Sequence, residues 1–170
     1  MSAIIPPKPR VHTGTKVRIC IVAARFNQEY TDALVENAVS EIDTYASSAR
    51  VDLVRVPGAF EIPVTCKALI EEEEPDCVIA LGCIIRGSTS HADLVATSVT
   101  EALQKLALDK TTPIIHEVLL VEDEKQAYAR CIGKKLNRGA EAARSALDIV
   151  EVIQEIRRAN QSLRLHPSNG

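Results

Sequence analysis

Short apolar runs alternate along this chain with longer segments in which apolar residues recur every three or four positions. The short runs are typical of buried β-strands, and the longer segments are typical of amphipathic helices. The runs predict four strands, at residues 18–24, 50–56, 77–85 and 112–121. The longer segments predict five helices, at about residues 30–45, 60–73, 90–108, 122–131 and 138–160.

Strands and helices alternate until the two helices at the end of the chain. Such alternation favours a parallel sheet with helices on both faces, so we predict an α/β three-layer sandwich with a four-stranded parallel sheet. One domain is expected at 16–160, after a proline-rich extended arm at 1–15 and before a polar, flexible tail at 161–170. The arm is a candidate to add a strand to the sheet of a neighbouring subunit.

Composition narrows the class of protein. Of 170 residues, 46% are hydrophobic but only 3% are aromatic, so small aliphatic side chains must build the core, as suits a covered parallel sheet. A net charge of -3 gives no electrostatic footprint for nucleic acid. No apolar run is long enough to span a bilayer, and residues 1–15 contain no apolar signal core. We therefore expect a cytoplasmic protein that binds neither nucleic acid nor membranes.

The cysteines point to the same compartment. There are five, without a CxxC pair, and most lie inside apolar runs. We expect them to be reduced and buried, with neither a disulfide nor a zinc role.

The last predicted helix carries two apolar stripes. One contains Ala143, Leu147, Val150 and Ile153, and the other contains Ala142, Ile149 and Ile156. A surface helix of a monomer needs only one stripe. The second stripe favours a subunit interface over the alternative, a helix buried deep in its own core.

The end of the third predicted strand is the main candidate site. Residues 82–93 pass from an apolar run through Arg-Gly into a Ser/Thr cluster, with a Ser-x-x-Asp helix start at Ser90 and a histidine at His91. Backbone N–H groups at a helix start can bind an anion, and a neighbouring imidazole can transfer a proton. A capped helix with a surface histidine explains the same residues equally well, so this stretch alone leaves both interpretations open.

Two other predicted strand ends offer a carboxylate and two aromatic rings. Glu61 follows the tight turn at Pro57-Gly58 and stands near a helix start, where it can accept hydrogen bonds from hydroxyl groups. Phe26 and Phe60 also follow strands, where a ring can stack on a flat heterocycle or can simply fill the core.

Cationic residues follow the fourth strand. Arg130 and Arg138 can reach a phosphate, especially one bound by a neighbouring subunit, or can form a solvated basic loop with Glu141 as partner. Because ligands bind at the carboxyl ends of parallel strands, we expect loops 24–28, 57–61, 83–91 and 116–123 to form one site. The sequence contains no Gly-rich dinucleotide motif and no Walker lysine. These groups favour a phosphorylated small substrate and acid/base chemistry without a metal.

Five ordered motifs resemble the 6,7-dimethyl-8-ribityllumazine synthase family over about residues 15–155. They read RFN at 25–27, VPGAFEIP at 56–63, GCIIRGSTSH at 82–91, QAYAR at 126–130 and NRGAE at 137–141. The resemblance implies flavodoxin-like topology and a transferase of riboflavin biosynthesis. Family enzymes condense 5-amino-6-(D-ribitylamino)uracil with 3,4-dihydroxy-2-butanone 4-phosphate, release phosphate and water, and need no cofactor.

The resemblance also implies a role for each matching residue. His91 is the implied acid/base, and Phe26 is the implied stacking partner of the pyrimidine. The ribityl chain is assigned to Ala59, Phe60 and Glu61, and the border of the pyrimidine to Cys83, Ile84 and Ile85. The phosphate is assigned to Ser88, Thr89 and Arg130. The remaining substrate-binding positions are His116 and Arg138.

The fourth strand departs from the family pattern. Where the family usually has an aromatic followed by Gly, and then Thr-Thr, this chain has His116-Glu117 and Leu120-Val121. The family commonly has Lys where Arg138 stands, and this change preserves charge. His116 is flat enough to face a ring but can titrate, and Glu117 adds a carboxylate that the pattern lacks.

Assembly and alternative functions complete the implications of the resemblance. Family members form homopentamers with sites between subunits, and some pentamers close into icosahedral shells. The segment 133–139 carries no insertion, which favours the shell. Riboflavin synthase is a further candidate partner. Two other functions stay open: a flavin- or lumazine-binding or shell-forming protein without turnover, and an archaeal-type riboflavin synthase, which the GSTSH stretch argues against.

Overall fold

A computed structural model describes residues 16–165 of the chain. Its strands are β1 (Arg18–Ala24), β2 (Arg50–Val56), β3 (Cys77–Ile85) and β4 (Ile114–Val121). Its helices are α1 (Gln28–Tyr45), α2 (Ile62–Glu73), α3 (His91–Lys110), α4 (Glu124–Cys131) and α5 (Arg138–Leu165), with a 3-10 turn at Ala59–Glu61. The predicted arm at 1–15 lies outside the described residues.

The four strands form one parallel sheet in the order β2-β1-β3-β4. The chain runs outward from β1 to β2, and then crosses over β1 to β3 and continues to β4. The strand order therefore reverses between β1 and β3, and such a switch point is where α/β sheets open a crevice for ligands. The predicted α/β class, parallel sheet and flavodoxin-like topology are confirmed.

Strand alternation distributes the core between two layers of helices. In β1, Ile19 and Ile21 pack toward α1, α4 and α5, whereas Cys20 and Val22 pack toward α2 and α3. Both faces of the central strands are therefore covered, which explains why they read as continuous apolar runs. All five cysteines are buried and unpaired, as predicted.

Close contact between α1 and α5 depends on Gly139. A Cβ atom at this position would lie 2.3 Å from the carbonyl oxygen of Leu34 in α1. Neighbouring alanines on α5, at positions 142, 143 and 146, are completely buried. Small side chains therefore allow the backbones of these two helices to approach each other.

The two stripes of α5 have different surroundings. Leu147 and Val150 are buried, and Ile149 of the second stripe packs against the same core, so part of that stripe is explained within one chain. Farther along the helix, Val152 and Ile156 are exposed. The interface expected from the second stripe stays a prediction that concerns this distal part.

Some boundaries differ from the prediction. The last helix runs to Leu165 rather than to about residue 160, whereas the flexible character expected of the tail at 161–170 stays a prediction. Residues 161–165 contain neither glycine nor proline, and the next helix-breaking residue is Pro167. The other domain boundaries stay predictions.

Candidate active site

Backbone hydrogen bonds join the loops that follow β1 and β2. The N–H of Arg25 donates to the carbonyl of Val56 (2.7 Å), and the N–H of Phe26 donates to the carbonyl of Pro57 (3.1 Å). Asn27 then adopts the left-handed conformation (φ 55°, ψ 48°), and its Nδ2 donates to the carbonyl of Cys83 at 2.8 Å. Asparagine tolerates this conformation better than most residues. Backbone bonds thus join the ends of β1 and β2, and the Asn27 side chain joins them to the end of β3.

A cleft of about 420 Å³ opens where these strand ends meet, and we call it the strand-end cleft. It brings together nine of the predicted site residues: Phe26, Ala59, Phe60, Glu61, Cys83, Ile84, Ile85, Thr89 and His91. Three of the four predicted loops contribute to it. Ser88 is exposed in the same loop as Thr89 but does not line the cleft.

The two phenylalanines are exposed rather than packed in the core. Phe26 is 72% exposed and Phe60 is 62% exposed, and both line the strand-end cleft. The interpretation that either ring fills the core is therefore wrong. Large apolar side chains exposed together at a cleft are typical of a surface that becomes covered by a ligand or a partner.

Glu61 is positioned by the turn that precedes it. Its Oε2 accepts a hydrogen bond from the N–H of Gly58 at 2.8 Å, and its carbonyl accepts one from Oγ1 of Thr65 at 3.0 Å. Pro63 stands in the first turn of α2, where a proline needs no hydrogen-bond donor. The carboxylate is thus held at the cleft wall, with its second oxygen available to a hydroxyl donor.

Arg86 organises the central loop, a role that the sequence analysis missed. Its guanidinium pairs with Asp93 in the first turn of α3 (Nη2 to Oδ1, 2.5 Å) and with Glu122 just after β4. Its N–H also donates to the carbonyl of Val121 at 2.9 Å. The Arg-Gly break after an apolar strand was the available signal, since an arginine there can bridge neighbouring strand ends.

The start of α3 is only partly as predicted. The helix begins at His91, directly after Ser90, but the Ser90 side chain makes no capping hydrogen bond. Asp93, the other half of the expected helix-start signature, instead pairs with Arg86. His91 is exposed at the helix start and reaches the wall of the strand-end cleft.

Three other predicted site residues, His116, Arg130 and Arg138, line a second cleft of about 630 Å³, which we call the β4 cleft. Its lining also includes Glu117. Within one chain these residues do not line the strand-end cleft, and the expectation of one site from all four loops stays a prediction. The reason for the separation is that β4 is an edge strand and His116 lies inside it rather than in the loop that follows.

His116 is fixed by a hydrogen bond to α3. Its Nε2 lies 2.9 Å from Oγ1 of Thr100, and that hydroxyl donates its own proton to the carbonyl of Ala96 at 2.8 Å. The hydroxyl is thus left as an acceptor, which favours a proton on Nε2. Burial lowers the pKa of His116, so the ring is neutral at pH 7.

Asn137 is buried and joins the helices that carry Arg130 and Arg138. Its Nδ2 donates to the carbonyl of Cys131 at 3.1 Å, and its Oδ1 accepts from the N–H of Ala140 at 3.1 Å. One side chain therefore caps the start of α5 and ties it to the end of α4. Arg138 also pairs with Glu141, at 2.5 Å, which is the partner suggested by the sequence.

Within residues 16–165, no group of three His, Cys, Asp or Glu side chains is arranged to hold a metal ion. None of the helices in this range is both long and apolar enough to cross a membrane. The predicted lack of a cofactor stays a prediction.

A parallel sheet with a cleft at its switch point, lined by exposed aromatics, a carboxylate and a histidine, is typical of α/β proteins that bind a small molecule at their strand ends. Residues 16–154 match the 6,7-dimethyl-8-ribityllumazine synthase family. The chain belongs to this family.

Individual relatives agree along most of their length. The 6,7-dimethyl-8-ribityllumazine synthase of Thermococcus kodakarensis is 42% identical over 85% of this chain and 91% of its own. That of Methylibium petroleiphilum is 41% identical, over 84% and 88%. That of Bdellovibrio bacteriovorus is 43% identical, over 83% and 78%. Among solved structures, a GDP-L-fucose synthetase from Naegleria fowleri bound to NADP aligns with 98% of this chain and 51% of its own length, at 12% identity and a TM-score of 0.44.

Proposed function

We propose that this chain catalyses the condensation of 5-amino-6-(D-ribitylamino)uracil with 3,4-dihydroxy-2-butanone 4-phosphate to 6,7-dimethyl-8-ribityllumazine, a transferase step of riboflavin biosynthesis. The strand-end cleft carries this proposal, because it gathers the family's aromatic, turn and histidine motifs around one space. Relatives with this name match nearly the whole of residues 16–154.

We assign the pyrimidine substrate to the strand-end cleft. The exposed face of Phe26 is available to stack on a flat ring, and β3 ends beside it with the backbone of Cys83 to Ile85. The polyol chain is assigned to the turn at Ala59–Glu61, where the Glu61 carboxylate can accept hydrogen bonds from hydroxyl groups.

Proton transfer is the main catalytic requirement of the proposed reaction. An amine of the pyrimidine attacks the ketone, and water leaves to form an imine. The phosphate is then eliminated, the resulting enol tautomerises to a carbonyl, and the second amine closes the ring on that carbonyl with loss of a second water. We assign these proton transfers to His91, which is exposed at the cleft wall. Ser88 and Thr89 are assigned to the phosphate, and holding both substrates together supplies much of the rate.

A neighbouring subunit is proposed to complete each site. His116, Arg130 and Arg138 line the β4 cleft and not the strand-end cleft of their own chain. We therefore place the β4 cleft of one subunit against the strand-end cleft of the next, in a homopentamer. The exposed Val152 and Ile156 of α5 support an interface. An icosahedral shell, a cytoplasmic location and riboflavin synthase as a partner stay predictions of the sequence.

The first experiment mixes the purified protein with both substrates and follows the absorbance of the lumazine product. Turnover that requires both substrates supports the proposal, with each substrate alone as the control. Binding without turnover would favour the lumazine-binding alternative. Product formed from lumazine alone would favour a riboflavin synthase.

A second experiment tests whether sites are shared between subunits. His91→Ala and Arg130→Ala proteins are each expected to be inactive, and are mixed in equal amounts by unfolding and refolding together. If His91 and Arg130 of one site come from different chains, about a quarter of the sites regain both groups and activity returns. If both come from the same chain, mixing restores nothing. Each variant refolded alone is the control.

A further inference from the structure

Glu117 is a partly buried carboxylate that the proposed reaction does not use. It lies on β4 opposite Leu81 of β3 and lines the β4 cleft with Arg130 and Arg138. Among residues 16–165, no group donates a hydrogen bond to it, and the nearby guanidiniums act on it only through their field. Burial raises the pKa of Glu117 from 4.5 to about 7, against the opposing effect of Arg138.

Every element packed around Glu117 contributes charged or titratable groups. They are Arg130 and Cys131 on α4, Arg138 and Glu141 on α5, Glu101 on α3, and His116 on its own strand. Glu141 is engaged in the ion pair with Arg138. Burial lowers the pKa of His116, whereas a hydrogen bond with Cys83, together with burial, raises the pKa of the Cys131 thiol. Glu117 is therefore the group in this cluster whose charge changes most readily near neutral pH.

We propose that Glu117 is a positioning residue that links anion binding at Arg130 and Arg138 to the uptake of one proton. This inference rests on the proposed function and on the expectation from the sequence that Arg130 and Arg138 reach the substrate phosphate. Before an anion arrives, the ionised carboxylate sits in the field of the two guanidiniums. When an anion binds beside them, a proton from solvent neutralises Glu117, because two negative charges cannot share that field favourably.

Thermodynamic linkage between proton binding and anion binding gives the direction of the pH dependence. A bound anion raises the proton affinity of Glu117, so by reciprocity a proton on Glu117 raises the affinity for the anion. Anion affinity is then highest at low pH and falls as the pH rises past about 7. The limiting slope is about tenfold in the dissociation constant per pH unit, one proton for one anion.

Sulfate is the suitable probe, because its charge does not change between about pH 6 and about pH 8.5, unlike that of phosphate. Isothermal titration calorimetry with the assembled protein should show a sulfate dissociation constant that rises about tenfold or more over this range. Glu117→Gln should bind sulfate with nearly the same constant at both pH values. Glu101→Gln removes a carboxylate from α3 across the same cleft and should keep the wild-type dependence.

Proton uptake can be measured in the wild-type protein without any variant. Titrations at about pH 7.5 in two buffers of different ionisation enthalpy should show about three-quarters of a proton taken up per sulfate, because a carboxyl with a pKa of about 7 is ionised to about that extent at this pH. An uptake of zero overturns the proposal, as does a Glu117→Gln protein that keeps the full pH dependence. Failure of wild-type protein to bind sulfate also overturns it, while lumazine formation in the same preparation shows whether the proposed function stands. Proton-linked sulfate binding without lumazine formation would instead refute the function alone.

Discussion

Replacing Asn27 tests how the strand-end cleft is held together. Asn27→Ala removes the hydrogen bond from Nδ2 to the carbonyl of Cys83, which costs about 0.5–1.5 kcal/mol. It also puts alanine in the left-handed conformation, at φ 55°, which costs about 1 kcal/mol more than asparagine or glycine there. We therefore expect the free energy of unfolding to fall by about 2 kcal/mol.

Two matched variants separate these contributions. Asn27→Gly loses the same hydrogen bond but adopts the left-handed conformation readily, so it should lose only about 1 kcal/mol. Asn27→Asp keeps the backbone preference but turns a donor into an acceptor that faces the Cys83 carbonyl. Urea unfolding followed by circular dichroism gives the values, at one fixed protein concentration because the chain is proposed to be oligomeric.

Two results of these stability measurements would contradict the reasoning. If Asn27→Ala and Asn27→Gly are equally stable, the conformational part of the reasoning is wrong. If neither differs from wild type, the hydrogen bond to Cys83 does not hold the strand ends together. The KM for the pyrimidine should rise in all three variants, since Phe26 is the adjacent residue and depends on the same turn.

Three further predictions concern catalysis, packing and pH. His91→Ala should lower kcat by about 10²–10⁴-fold with little change in the KM for the butanone phosphate, and an unchanged kcat would remove His91 from the acid/base role. Gly139→Ala should lower the melting temperature steeply, because its Cβ would lie 2.3 Å from a backbone oxygen of α1, whereas Ser40→Ala on the outer face of α1 should not. A folded-state pKa of about 7 for Glu117, against 4.5 in the unfolded chain, stabilises the protein fully below about pH 4.5 and loses that effect as the pH rises through about 7. Relative to Glu117→Gln, wild-type stability in urea should thus fall by up to about 3 kcal/mol across that window, and a constant difference would contradict the buried carboxylate.

The sheet could be predicted from the sequence because burial on both faces leaves a direct trace. Cys77–Ile85 is an uninterrupted apolar run, and its residues alternate between two apolar cores. The roles of the loop side chains were harder to predict from the sequence. The side chains of Arg86 and Asn137 organise the site through contacts with residues distant in sequence or in neighbouring helices, which no local pattern reveals.

The fourth strand shows where periodicity stops being informative. Alternation places His116 and Glu117 on opposite faces of β4, yet both line the β4 cleft, because an edge strand has a neighbouring strand on only one side. A pattern of apolar and polar residues cannot distinguish a carboxylate in water from one buried beside arginines. The pKa of Glu117 depends on groups of α4 and α5, so its rise could be recognised only from the structure.

The division of the site residues between two clefts follows from the spacing of the strands. The turn at Ala59–Glu61 follows β2, whereas His116 belongs to β4, and three strand spacings separate these two edges of the sheet. At about 4.8 Å per spacing, that is about 14 Å, with β1 and β3 in between. A turn at one edge and a strand at the other cannot both contact the reacting atoms of one small substrate within the same chain. His91 lines the strand-end cleft and Arg130 lines the β4 cleft. We therefore propose that one substrate meets these two groups from different subunits, and the subunit-mixing experiment tests this independently of the family resemblance.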